Sequence, residues 1–263
     1  MLRSFDGPQK EENPAWIRYV VIFFVSSQII RYIYHLYTEK LYDHIPNYFF
    51  GYSFQQQLYN DVVAYLLDAF QVMFISMPIM AFVFFYIVVC NDVKCIIKHF
   101  QNSFVFKDAC NYETLFRYYH AIKSAADMID NTVGFLVFTT IIYNSCATFF
   151  SLHVTLRSDM DYVDSVAFYY WFASNYALFI IMTASAASVA DASAEVASTV
   201  LILPEVKGNS NWSQQRFIAL VDKKITFTVW KITPIRRNFI FGVSGVIFTY
   251  SLMFHSLSPD KRD

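Results

Sequence analysis

Phe239-Ile-Phe-Gly-Val-Ser-Gly-Val-Ile-Phe-Thr-Tyr-Ser-Leu-Met-Phe254 runs without a charged residue, directly after a basic cluster of Lys231, Arg236 and Arg237. About 20 helical residues at 1.5 Å rise cross the hydrocarbon of a bilayer, so the segment 238–256 is predicted to span. Its basic flank is predicted to set its direction, because Lys and Arg concentrate on the cytoplasmic side. That direction governs the topology of everything upstream.

The whole chain fits this reading. Of its 263 residues, 56% are hydrophobic and only 16% are charged, where a soluble domain carries about a quarter. The mean hydropathy is +0.35. With 28 Phe, 19 Tyr and 4 Trp against 6 Gly and 7 Pro, the expected class is an all-α polytopic helical bundle of long unbroken helices. The net charge of −1 offers no field for nucleic acid, so none is expected as a partner; the lipid bilayer is.

Residues 1–14 form a polar tail with no apolar core or cleavage site of a signal peptide. Spans are expected at about 15–37, 62–90, 134–155, 163–190 and 238–256. Pro78 is expected to kink the second. Between the spans, 91–131 is charged but periodic. Tyr112, Leu115, Tyr119, Ile122, Ala126, Ile129 and Val133 step by three and four, which makes one apolar stripe running without a breaker into the third span. The fourth span ends in small residues, Ala184-Ser-Ala-Ala-Ser-Val-Ala-Asp-Ala-Ser-Ala194, which let helix backbones approach closely. Residues 191–237 are polar to amphipathic, broken at Pro204 and Gly208.

Five spans put the tail, 91–131 and 191–237 on one side, with fourteen Lys and Arg against four opposite. The expectation is a cytoplasmic N-terminus and an extracellular C-terminus, with 258–263 as a short outer tail. The sequon at Asn211 then faces the cytoplasm and stays unglycosylated.

Catalytic and metal chemistry find no support. The six histidines form no HxxH, HxxxH or HExxH. Cys90, Cys95, Cys110 and Cys146 lack zinc spacing, and the chain has no P-loop and no GxSxG. No cofactor, no metal and no enzyme activity are expected. Asp191 and Glu195, one turn apart at the end of a span, read as a solvated helix end.

Two charges inside spans are more informative. Arg31 and Asp68 fall at similar depth, and an intramembrane charge is costly unless paired or wet, so they are expected to pair or to share an aqueous cavity. Tyr34, Tyr65, Asp68, Gln71, Tyr143, Asn144, Tyr170, Trp171 and Asn175 all fall in the outer halves of their spans. Aromatic walls with a few polar groups suit a small-molecule pocket, although an interfacial aromatic belt uses the same residue types.

The segment Phe241–Phe254 with its Thr249-Tyr250 pair resembles the last span of arthropod gustatory receptors, whose signature is Thr-Tyr, five mostly apolar residues, then Gln-Phe. The approach through Phe217-Ile-Ala-Leu, Ile225-Thr-Phe-Thr-Val and Ile232-Thr-Pro-Ile-Arg-Arg is similar, as is Ala187-Ser-Val-Ala-Asp-Ala. The resemblance covers roughly residues 110–257. Ser256 and Leu257 stand where the family has Gln and Phe. Five spans against the family's seven imply a chain that begins at the family's third span.

The resemblance implies a plasma-membrane chemoreceptor, a subunit of a ligand-gated, non-selective cation channel that assembles as a homo- or hetero-tetramer and detects a small-molecule tastant. It makes Thr249, Tyr250 and Ser256 the expected pore-lining residues, and makes 91–131 and 191–237 cytoplasmic anchor helices. The alternatives are a non-conducting or truncated member, a G-protein-coupled receptor and a small transporter. The second wants an outside N-terminus; the third wants substrate on the Arg31/Asp68 pair.

Overall fold

The computed structural model describes residues 71–105, 112–156, 162–202 and 211–257, together with the single positions Ile22, Ser26, Ile29, Leu66 and Phe70. A π-helical turn, Gln71–Ser76, leads into α1, Met77–Val105. α2 spans Tyr112–Thr155 and α3 spans Tyr162–Ile202. The shorter α4, Asn211–Asp222, is followed by two short antiparallel strands, β1 (Thr228–Val229) and β2 (Thr233–Pro234). The last helix, α5, is Arg237–Leu257. Four helices among the described residues are long and apolar enough to cross a membrane. Of the expected first span, only Ile22, Ser26 and Ile29 are described, and all three are helical.

Pro78 explains the π turn. It has no N–H to donate to the carbonyl of Phe74, and its ring crowds that carbonyl, so the chain widens just upstream. The expected kink therefore takes the form of a local widening that ends at Ser76.

α3 is the centre of the bundle and packs along both α1 and α2. Its small residues make this possible: Ala186, Ala187, Ala190, Ala192 and Ser193 are buried. In lipid, helices associate through close packing rather than apolar transfer, and small side chains bring backbones within reach.

α2 continues for 44 residues, through the periodic stripe and onward. Tyr112, Tyr119, Ala126 and Val133 of that stripe are buried, against α1, α3 and α4. At this end of the bundle an aromatic cluster forms, with Phe217 of α4 against Phe100, Tyr112 and Tyr119 at centroid distances of 6.5, 6.3 and 6.4 Å. Ser193 ties three segments together. Its hydroxyl lies 3.0 Å from the Tyr119 hydroxyl and accepts the Ile225 amide at 2.8 Å.

Candidate functional site

At the other end of the bundle, α1, α2 and α3 enclose a crevice lined by Ser76, Ile79, Met80, Tyr143, Asn144, Trp171, Asn175 and Leu178. The end of the π turn supplies Ser76, so the widening caused by Pro78 helps set where that hydroxyl points. Tyr143 and Asn144 sit side by side on α2. Trp171, Asn175 and Leu178 repeat at helical spacing on one face of α3.

The polar groups differ in how they are satisfied. The Tyr143 hydroxyl and the Ser76 hydroxyl are 3.2 Å apart and bridge α2 to the π turn. Asn175 donates its Nδ2 to the Trp171 carbonyl, 2.9 Å away and one turn back on its own helix. Asn144 is 1% exposed, and neither its Nδ2 nor its Oδ1 has a hydrogen-bond partner among the described residues. Leaving such a group unmet costs about 1–3 kcal/mol. The crevice has room for about one water molecule in this conformation.

Trp171 also stacks edge-on with Phe150 at 6.1 Å and lies 5.9 Å from Phe168, which holds its indole. One position further along α3, a second face meets α5. Phe172 and Tyr176 pack on Phe248 at 6.2 and 5.7 Å, and the Tyr176 hydroxyl donates to Ser244 at 3.1 Å. The crevice and α5 thus share α3 as a common wall, within one helical turn.

Of the residues expected in a pocket, Tyr143, Asn144, Trp171 and Asn175 converge here. Tyr170 neighbours Trp171 but does not line the crevice. Gln71 lies in the π turn, with only its backbone described. Tyr34, Tyr65 and Asp68, and with them the Arg31/Asp68 pair, lie outside the described residues. The sequence reading missed Ser76, Ile79, Met80 and Leu178; a serine two positions before a mid-span proline was the one available signal.

On α5, Ser244, Ile247 and Ser251 are the buried residues, at i, i+3 and i+7, with Phe239, Ile240 and Val243 packed partly buried against the core. Thr249 and Ser256 are seven residues apart and lie on the opposite face with Gly242 and Gly245, where an added Cβ would meet nothing within 4 Å. Tyr250, 50% exposed, stands on the flank between the two faces. The Ser256 hydroxyl donates to the Met253 carbonyl at 2.8 Å. Asp191 is exposed, as a solvated carboxylate should be, and also accepts Arg237 Nε and Nη2 at 3.0 and 2.8 Å, joining α3 to the first residue of α5. Among the described residues no cluster of His, Cys, Asp or Glu could hold a metal ion.

A family profile described as Trehalose receptor matches residues 109–263. The fold is similar to the insect olfactory receptor OR5 from Machilis hrabei in complex with eugenol, with a TM-score of 0.60 and 10% identity over 91% of this chain and 69% of that one. A second structure of that receptor gives a TM-score of 0.56 and 12% identity over 92% of this chain and 69% of that one. At these identities the likeness carries the fold. No curated protein matches the chain.

Proposed function

We propose, because the chain belongs to the Trehalose receptor family, that it is a subunit of a ligand-gated cation channel opened by a small hydroxylated molecule. The membership makes it a multi-pass membrane receptor of the insect chemoreceptor type, gustatory in character, and not an enzyme. The channel, the ligand, the orientation and the assembly are our own reading.

The observation that carries it is Asn144. A buried amide with both polar atoms unmet, beside the Tyr143 and Ser76 hydroxyls and the Trp171 ring, suits a ligand that offers several hydroxyls and an apolar face. The disaccharide in the family's description has that character. A drug- or sugar-sized ligand needs roughly 300 Å³ or more, so binding would part α3 from α1 and α2. Phe172 and Tyr176 would then pull on Phe248 and Ser244 of α5. In this mechanism α5 moves as the gate, with Thr249 and Ser256 facing the ion path and Tyr250 at its edge. The crevice faces outward, with the N-terminus inside, and four copies surround the pore.

Whole-cell recording with trehalose and related disaccharides tests this. A ligand-evoked cation current is expected, reduced at least about tenfold in potency by Asn144→Leu and altered in conductance by Tyr250→Ala. Absence of current in protein that reaches the surface would overturn the channel reading.

A further inference from the structure

The segment between α4 and α5 presents exposed groups that the gating mechanism does not use. Lys223 to Arg237 contains five basic residues and no acidic one. Arg237 is committed to Asp191 at 2.8 Å. Lys223, Lys224, Lys231 and Arg236 are exposed, and none forms an ion pair with another described residue. At the hairpin tip, Trp230 is 51% and Ile232 is 69% exposed, two large apolar side chains beside a lysine.

The depth of the tip follows from α2. The Trp230 ring packs on Phe135 and Phe138 at 5.6 and 5.2 Å, and its backbone lies over Gly134, where an added Cβ would sit 3.7 Å from the Trp230 Cα. Those α2 residues begin the uncharged half of the helix, just past Asp127 and Asp130. Asp130 holds the hairpin from below, accepting the Thr228 amide at 2.8 Å and its hydroxyl at 2.7 Å. Arg236 stands immediately before the first residue of α5, which is itself a span. The tip therefore lies where α2 passes from charged to uncharged residues, beside the start of α5.

The backbone there is costly to hold. Trp230 and Lys231 have φ of 48° and 58°, the left-handed region that glycine or asparagine occupies with less strain. A strained turn that keeps a tryptophan and a lysine points to a use for those side chains.

We propose that the β1–β2 hairpin is a docking site for anionic phospholipid headgroups. Trp230 and Ile232 seat at the hydrocarbon boundary, and Lys231 and Arg236 meet the lipid phosphates, with Lys223 and Lys224 adding to the field. Tryptophan favours the interface for its ring and N–H, and basic residues next to a span attract acidic lipids. Assignment to the inner leaflet rests on the proposed orientation; the contact itself does not.

The test uses the full chain in nanodiscs, which carry the same lipid on both faces, so its outcome is independent of orientation and of channel activity. The Trp230 emission is the difference between wild type and Trp230→Phe. In discs doped with brominated phosphatidylglycerol it should be quenched at least about twofold more than with brominated phosphatidylcholine, and Lys231→Glu with Arg236→Glu should abolish that preference. Equal quenching by both lipids overturns headgroup selection. No quenching by either overturns the proposal too and assigns the tip to a second copy of the chain or to water. If Trp230→Phe does not fold, native mass spectrometry decides: fewer retained phosphatidylglycerol molecules on the double variant supports the site, and equal numbers overturn it.

Discussion

In the proposed mechanism Asn144 is worth more to function than to folding. Its amide is buried with no partner among the described residues, and an unmet buried amide is costly. Asn144→Leu, close in volume, is expected to leave the stability of the purified protein unchanged or raise it by up to about 1–3 kcal/mol, with the melting temperature unchanged or higher. The same variant is expected to lose the ligand response. A thermal-shift assay beside a dose–response series checks both halves, and a variant that melts lower while responding normally would make Asn144 a packing residue. Composition alone flagged this asparagine as one polar group in an aromatic span. It could not separate Asn144 from Asn175, which sits in the same crevice and satisfies its own amide through the Trp171 carbonyl.

At the scale of elements, the hairpin is the most informative piece, and it was the least legible. Residues 191–237 read as polar to amphipathic with no strand in them, because β1 and β2 are two residues each and leave no alternation to detect. The turn also lacks the Asn-Gly or Asp-Gly that marks such a hairpin. A tertiary contact holds it instead, Asp130 from α2, beside the hairpin's own bond from the Ile235 amide to the Phe227 carbonyl at 2.9 Å. Asp130→Ala removes both acceptors of Thr228. Amide exchange at Ile232 and Ile235 is then expected to quicken about 10- to 100-fold, as loss of a charged acceptor worth roughly 1.5–3 kcal/mol implies. Asp130→Asn keeps an acceptor for the Thr228 amide and should fall between. Unchanged protection in Asp130→Ala would mean that the strands hold the turn unaided.

For the whole molecule, the packing is uneven. The most apolar window of α3 is 56% buried within the chain, that of α5 only 17%. The lipid bilayer can cover an apolar face, but Gly242, Gly245, Thr249 and Ser256 share the face turned away from α2 and α3. Small and hydroxylated residues suit a neighbouring helix or a water-filled path better than lipid tails. In a Cys146→Ser background, which removes an exposed thiol, Thr249→Cys is expected to give disulfide-linked dimers on mild oxidation in the membrane. Ile247→Cys, turned into its own bundle, should not. Equal cross-linking of both, or of neither, would contradict a central position for α5.

The sequence by itself determined the membrane class, the long helices and the inward stripe of α2, because burial in a helix leaves a period that one chain reveals locally. It also placed Tyr143, Asn144, Trp171 and Asn175 in one candidate set, through the cost of polar groups in an apolar span. Only the tertiary structure decided that the Tyr143 hydroxyl meets Ser76, that Asp191 meets Arg237, and that Trp230 rides on Phe135 and Phe138. Periodicity states which face of a helix turns inward. It does not state which other face it meets, because that is settled by packing between residues far apart in the chain, here through the small residues of α3.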